Sequence, residues 1–250
     1  MQSATGLGER TSPPFSITSG SAAMDAQDVI AVSNCISTLR AVRRFHKRPV
    51  PAHLIEFVIH HATRAGSGKN RQPWRFVVVR EEGRRRAVVE WYRNGLKQYL
   101  ERASEINGAV HSKSNQTGAA QTLAANIGDA PVLIIAFFVP SNTNPVGFTA
   151  GASIYPALQN LMLAARSVGL GSTMTTVQTV DEWPGSESSM ADQLRDILGA
   201  PGDAAPAAII PLGYPLKRFA TTTNRLPVEA VTYADHWGDG WPATSAAPLA

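Results

Sequence analysis

The chain has 250 residues, 44% hydrophobic and 17% charged, a formal net charge of +4 and one cysteine. Such a chain can bury a full core as one domain, or at most two small ones. Its arginines gather in short groups such as residues 43–48 and 84–86, which points to local anion sites more than to a nucleic-acid surface. A lone cysteine excludes an intrachain disulfide, and no apolar run reaches the ~20 residues of a membrane span.

Residues 1–23, rich in Ser, Gly, Thr and Pro, read as a flexible N-terminal arm that lacks the basic-then-apolar order of a signal peptide. A cytoplasmic location is the simplest expectation. Residues 24–250 read as a single domain, since no repeat or compositional shift divides them. Val29, Ile30, Val32, Ile36 and Leu39 recur at helical spacing and predict a first helix ending near Arg40, with Cys35 as a packing residue. Pro51 suits the first turn of a second helix through Leu54, Ile55, Val58, Ile59 and Ala62.

Residues 65–79 form a small, polar loop that runs into a β-branched strand. Gly66 and Gly68 are expected to take positive φ or to let the backbone approach a ligand, and Pro73 to hold Gln72 extended. Beyond the strand at 76–79, residues 81–102 are rich in helix formers, with Trp91, Tyr92 and Tyr99 interleaved as core or substrate-platform aromatics. Residues 107–117 read as a mobile loop and candidate lid, and 119–127 as a short helix. Residues 132–138 predict a strand buried on both faces, and 149–168 a central helix stopped by Gly169. An extended, Thr-rich stretch at 170–180 precedes a helix at 190–198 and a buried strand at 207–212. The tail from Pro215 lacks periodicity, so it should order only against another surface, such as a partner subunit.

Arg40 and Arg43, three apart where the first helix is expected to end, can converge on one anion, and Arg225 offers a second guanidinium from a distant segment. The six histidines form no metal-binding spacing. Neither Gly66-Ser67-Gly68 nor Gly169-Leu170-Gly171 has the third glycine of a dinucleotide fingerprint, and no P-loop or Gly-x-Ser-x-Gly elbow is present. Thr173, Thr175 and Thr176 are either β-branched strand residues or hydroxyls beside a ligand.

Four of these pieces stand in one order that resembles the FMN-dependent nitroreductase family, with its flavin-reductase and iodotyrosine-deiodinase-like branches. They are the opening Leu39-Arg40-Ala41-Val42-Arg43-Arg44-Phe45, the loop from Ala65 to Trp74, the helix Gln159 to Ala165 followed by Gly169-Leu170-Gly171, and Arg225-Leu226-Pro227. The resemblance implies an α+β fold: a mixed, largely antiparallel sheet flanked by helices, in an intertwined homodimer with FMN at the interface. It also implies that Arg40, Arg43 and Arg225 bind the FMN phosphate. Ser67 and Asn70 would contact the cofactor, Gln72 would serve either the cofactor or the turn, and Thr175, Thr176 and Val177 would lie beside the flavin ring. Thr176 is the implied tuner of flavin N5, Trp91, Tyr92 and Tyr99 are candidates for a substrate lid, and no metal is implied. Ala41 and Gly66 depart from the family's usual Ser and Pro.

The activity implied is ping-pong reduction of a nitroaromatic, quinone or similar small acceptor, with NADPH or NADH giving hydride to flavin N5. Neither nucleic acid nor a membrane is an implied partner. Two alternatives stand beside it. One is a reductive dehalogenase of the same fold, for which Glu90, Tyr92, Lys97 and Tyr99 supply suitable lid residue types; the other is a non-catalytic basic protein that binds flavin or nucleic acid.

Overall fold

Seven consecutive apolar residues, Val132–Phe138, make the strand on which the sheet is built, and all seven are buried. A computed structural model describes residues 26–107, 115–142, 145–177, 189–217 and 225–241. In chain order its strands are β1 (Phe45–His46), β2 (Trp74–Val79), β3 (Val132–Phe138), β4 (Gly171–Ser172) and β5 (Ala205–Pro215). They lie in the order β1-β5-β3-β2, with β4 also on β5, and each of these pairings is antiparallel. A parallel bridge from Ala41 to Ser172 makes the sheet mixed. The helices are α1 (Ala26–Thr38), α2 (Ala52–Ala62), α3 (Glu82–Asn107), α4 (Asn115–Asn126), α5 (Phe148–Ser167) and α6 (Met190–Leu198).

Alternation along β3 divides the core in two. Val132, Ile134, Ala136 and Phe138 pack with α2 and α5, where Ile55, Val58, Ile154, Leu158 and Leu161 are buried. Leu133, Ile135 and Phe137 face α3 and α6, against Val88, Trp91, Tyr92, Met190 and Leu194. A strand covered on both faces has no polar side, which is why its sequence is a continuous apolar run.

Pro211 lies within β5, a strand with neighbours on both sides. Ile209 exchanges both main-chain hydrogen bonds with Thr175, at 3.0 and 2.9 Å, so the edge that residues 209, 211 and 213 present faces β4 and its continuation. The register from Gly171–Gly213 to Thr175–Ile209 is continuous and sets Thr173 opposite Pro211. Proline has no N–H to give there, so β4 is only two residues long although the chain stays in register as far as Thr175.

The expected loop at 107–117 is corrected at both ends. α3 runs through Asn107 and α4 starts at Asn115, so of that loop 108–114 lie outside the described residues, as do the N-terminal arm and residues 178–180 of the expected extended stretch. Polar side chains of α4 bond back one turn, Thr122 Oγ1 to the Gly118 carbonyl at 2.7 Å and Asn126 Nδ2 to the Thr122 carbonyl at 2.7 Å. The expected tail also begins late, because Pro215 still pairs with Phe45.

α3 is entered through Glu81, whose carboxylate accepts from the N–H groups of Arg84 and Gly83, both at 2.6 Å. The bond from Arg84, then that from Gly83, holds the carboxyl below its ordinary value of 4.5. The unfolded chain therefore takes up this proton at higher pH than the folded one. The stabilisation is complete above pH 4.5 and is lost as pH falls through the depressed folded value. Thermal melts of Glu81→Gln should accordingly show a shallower loss of midpoint on acidification below pH 4.5 than the parent chain shows; parallel curves would mean that the cap does not couple to stability.

Candidate functional site

The loop between α2 and β2 is held by its own polar groups. Ser67 Oγ accepts from the Gln72 N–H at 3.0 Å, the Ser67 carbonyl accepts from the Asn70 N–H at 2.9 Å, and Gln72 Nε2 donates to Asn70 Oδ1 at 3.2 Å. Left-handed backbone falls on Lys69 (φ 55°), Asn70 (φ 53°) and Gln72 (φ 50°), and not on Gly66 or Gly68. That corrects two expectations. The glycines are not the positive-φ residues, and Gln72 is not extended despite Pro73. Each non-glycine in that region costs about 1–3 kcal/mol and persists only where its surroundings over-determine it. Ser67 uses its oxygen as the loop's acceptor and keeps its own O–H to donate.

Arg40 and Arg43 do not share a helix face, because α1 ends at Thr38 and both lie on the extended segment that follows. Arg40 Nη1 donates to the carbonyls of Ser37 at 2.8 Å and Leu39 at 2.6 Å, which satisfies acceptors left over at the end of α1. Its Nε and Nη2 are buried and have no hydrogen-bond partner. The segment is stitched to β4 by the Ala41–Ser172 bridge and by Val42 N–H donating to the Ser172 carbonyl at 2.9 Å. Only a residue without a Cβ fits at Gly171, since an added Cβ would stand 2.7 Å from Val42 Cγ2. Ser172 Oγ is likewise buried without a partner.

The Thr-rich stretch continues this seam. Thr175 has its main chain committed to Ile209, and its side chain lies near the hydroxyl of Tyr92. Burial pushes the Tyr92 phenol up, while the nearby Thr175 side chain and the charge of Arg43 oppose that. Arg43, Tyr92 and Thr175 thus come together. Thr176 is half-buried, and Val177 has its side chain in the core facing α3.

The lid expectation for Trp91 and Tyr92 does not fit the fold. They are 3% and 1% exposed, and Trp91 Nε1 donates to the Met190 carbonyl at 2.9 Å, so both are core residues. Tyr99 alone of the three is exposed. Arg225, also exposed, opens the segment 225–241, and no strand pairing ties it to the seam.

Residues 36–214 match the model of the nitroreductase family. The chain belongs to that family. Among its relatives, the NADH dehydrogenase of Thermus thermophilus is 29% identical over 199 residues, 77% of this chain and 90% of that one. Iodotyrosine deiodinase 1 of Rattus norvegicus is 27% identical over 199 residues, 76% of this chain and 63% of the deiodinase. Among solved structures, the FMN-dependent nitroreductase NfnB from Mycobacterium smegmatis in complex with NADPH is 20% identical and superposes with a TM-score of 0.59, covering 83% of this chain and 99% of that one. That likeness confirms the nitroreductase fold.

Among the described residues the other charged groups do not form a second centre. A cavity of about 860 Å³ beside the start of α3 is lined by Lys47, Arg80, Glu81, Arg85, Arg93 and Asp129 among others. Its charges are occupied locally: Lys47 with Asp129 at 3.4 Å, Arg85 with the Arg80 carbonyl at 3.2 Å, and Arg93 with the Ala124 carbonyl at 2.9 Å. Among the described residues no cluster of His, Cys, Asp and Glu could hold a metal, and no helix is long and apolar enough to cross a membrane. Sequence reasoning missed Ser172 altogether. Its place just after Gly171 was the available signal; that it lies opposite Ala41 and Val42 is given by the fold.

Proposed function

We propose that this nitroreductase binds FMN in the seam between residues 40–43, the 67–72 loop and residues 172–177, and uses NADH or NADPH to reduce a small acceptor such as a nitroaromatic or quinone. The observation that carries the reading is Arg40. A buried guanidinium with Nε and Nη2 unsatisfied, and with Nη1 pinned to two carbonyls, is pre-oriented for an anion, and its free edge has the fork geometry that suits phosphate. Arg43 and Arg225 would add charge to the same group. The relatives named above are consistent with redox chemistry of this kind.

Bound there, FMN would supply the hydride acceptor N5 and store electrons between nicotinamide and acceptor. The chain's own residues bind, orient and tune. The Ser67 hydroxyl and Asn70 amide, on a loop pinned by its own bonds, present donors to a polar ligand edge, with Gln72 bracing them. Main-chain groups of an extended strand alternate sides. Thr175 has no main-chain group to offer because Ile209 takes both, and the half-buried Thr176 beside it is the residue assigned to N5. Val177 can contribute only through its backbone. The acceptor's protons can come from water, so the proposal needs no acid–base pair.

A homodimer is part of the proposal. α1 leaves Ile30, Val32 and Ile36 at 58%, 46% and 56% exposure, and the 225–241 segment leaves Leu226, Val228, Val231 and Trp237 exposed. Apolar surface on this scale marks an interaction face. A second copy of the chain would cover it and order the tail.

Steady-state rates measured while varying NADPH against a nitrobenzoate should give parallel double-reciprocal lines, and intersecting lines would exclude the ping-pong order. Similarity to iodotyrosine deiodinase keeps reductive dehalogenation as a second reading. Tyr92, being buried, is not available to hold such a substrate. Faster turnover of iodotyrosine than of a nitrophenol by the same reduced preparation would favour the dehalogenase. Ser67→Ala removes both the loop's clamp and a donor, and should weaken FMN binding by about five- to thirtyfold, the range of one or two hydrogen bonds. A fluorescence-quenching titration reads it, and an unchanged dissociation constant would remove Ser67 from the site.

A further inference from the structure

We propose that Gln72 is a positioning residue that decides which end of the Asn70 amide the loop shows to the flavin: it holds Oδ1, so that the NH2 group is left to bond an electron-rich edge of the ring. The inference rests on the FMN reading above and deepens it. It starts from a strained residue. Gln72 has φ 50° although it precedes Pro73, and a proline pushes the residue before it toward extended backbone. Such an outlier persists only where its surroundings hold it. Two bonds hold this one, and both run to residues assigned to the cofactor. The Gln72 N–H donates to Ser67 Oγ at 3.0 Å, and Gln72 Nε2 donates to Asn70 Oδ1 at 3.2 Å.

Both bonds have the same direction. Gln72 gives a hydrogen to an acceptor on each neighbour, so each neighbour keeps its donors. Among the described residues nothing accepts from the Ser67 hydroxyl or from Asn70 Nδ2. The main chain of Asn70 is fixed as well, at φ 53° and with its N–H on the Ser67 carbonyl at 2.9 Å. Rotation of the amide is the freedom that remains, and Gln72 stops it. The pyrimidine edge of a flavin carries both kinds of group: its carbonyl oxygens and N1 accept, whereas N3–H donates. An amide held by its oxygen bonds the acceptors and not N3–H. The negative charge that reduction adds gathers on N1 and the neighbouring carbonyl, and a hydrogen bond to a charged acceptor is the stronger one. The loop therefore favours the reduced cofactor, and Gln72 sets that bias.

The test uses the FMN-loaded protein, with the FMN dissociation constant and the flavin midpoint potential as readouts. Asn70 and Gln72 are exposed, so no substitution of them opens the core. Asn70→Asp still accepts from Gln72 but has no donor to offer. It should weaken oxidised FMN about tenfold, the scale of one hydrogen bond. Reduced FMN should lose about tenfold more, which lowers the potential by about 30 mV. Gln72→Glu can only accept, so it draws the Asn70 NH2 group to itself and turns Oδ1 to the ligand; both readouts should move in the same direction as in Asn70→Asp. Gln72→Met neither donates nor accepts, frees the amide without reversing it, and should shift the potential less than Gln72→Glu. Arg64→Gln removes one positive charge at an exposed residue three before Ser67 and controls for charge; it should leave the potential in place. A Gln72→Glu protein with the parent's potential, or one whose shift Arg64→Gln or Gln72→Met reproduces in full, would overturn the proposal. A parent chain that takes up no FMN would instead overturn the reading beneath it, and this inference with it.

Discussion

Arg40→Ala lowers FMN affinity by roughly ten- to a hundredfold, the value of one or more charge-assisted hydrogen bonds to phosphate. The expectation follows from how each nitrogen of this guanidinium is used. Nη1 is committed to the carbonyls of Ser37 and Leu39, which fixes the plane of the group, while Nε and Nη2 are buried without acceptors. Each unsatisfied buried donor costs about 1–3 kcal/mol, and an anion that accepts from both removes that cost. Arg40→Lys should not restore binding, because one ammonium cannot bond two backbone carbonyls and also present a flat two-donor edge. FMN should also raise the parent's melting temperature and have little effect on that of Arg40→Ala. Arg44→Ala, which removes an exposed neighbouring charge, controls for long-range attraction. If Arg44→Ala and Arg40→Ala weaken FMN equally, the effect is net charge and Arg40 does not hold the phosphate.

Trp237→Ala weakens self-association by about 2–4 kcal/mol, or roughly thirty- to a thousandfold in the dissociation constant. Trp237 is 82% exposed, with Tyr233 beside it at 4.7 Å between ring centres. An indole so placed is an anchor awaiting a pocket. Adding Ile36→Glu on α1, where 56% of the residue is exposed, puts a charge into the other apolar face and should leave a monomer at micromolar concentration. Sedimentation velocity distinguishes these states. A parent chain that sediments as a monomer would contradict the dimer, and an unchanged dimer in the double variant would place the interface elsewhere.

Much of the architecture could be read before the structure, for reasons visible in particular residues. β3 is unmistakable because both of its faces are covered, which leaves seven apolar residues in a row. α2 follows from the spacing of Ile55, Val58 and Ala62 behind Pro51, and α6 from its period and the left-handed Gly199 that ends it. What remained hidden depended on where groups point after folding. Pro211 argues against a central strand unless one knows that its missing N–H faces Thr173. The 67–72 loop has two glycines, yet its left-handed residues are Lys69, Asn70 and Gln72, a pattern fixed by hydrogen bonds within the loop. Helical spacing suggested that Arg40 and Arg43 share a face, but α1 stops short of both.

The candidate site was legible in part. Arg40, Arg43 and Thr175 were expected site residues from order and residue type, and the fold sets the 40–43 segment beside Ser172, on the stretch that continues to Thr175. Tyr92 had a different expected place, because an aromatic interleaved with charges on a helix carries no mark of which face it occupies. Its core neighbours Met190 and Leu194 come from far along the chain, and no local pattern encodes such packing. Ser172 followed a glycine pair that drew attention to phosphate loops, whereas its significance lies in the segment across from it.

Titrating the purified apoprotein with FMN, followed by flavin fluorescence and by the visible spectrum, tests the central claim most directly. Saturable uptake of one equivalent per chain, with flavin fluorescence quenched and the colour bleached by NADPH or NADH under anaerobic conditions, is the predicted result. Free-flavin fluorescence that persists through the titration, with no bleaching by either nicotinamide, would contradict it.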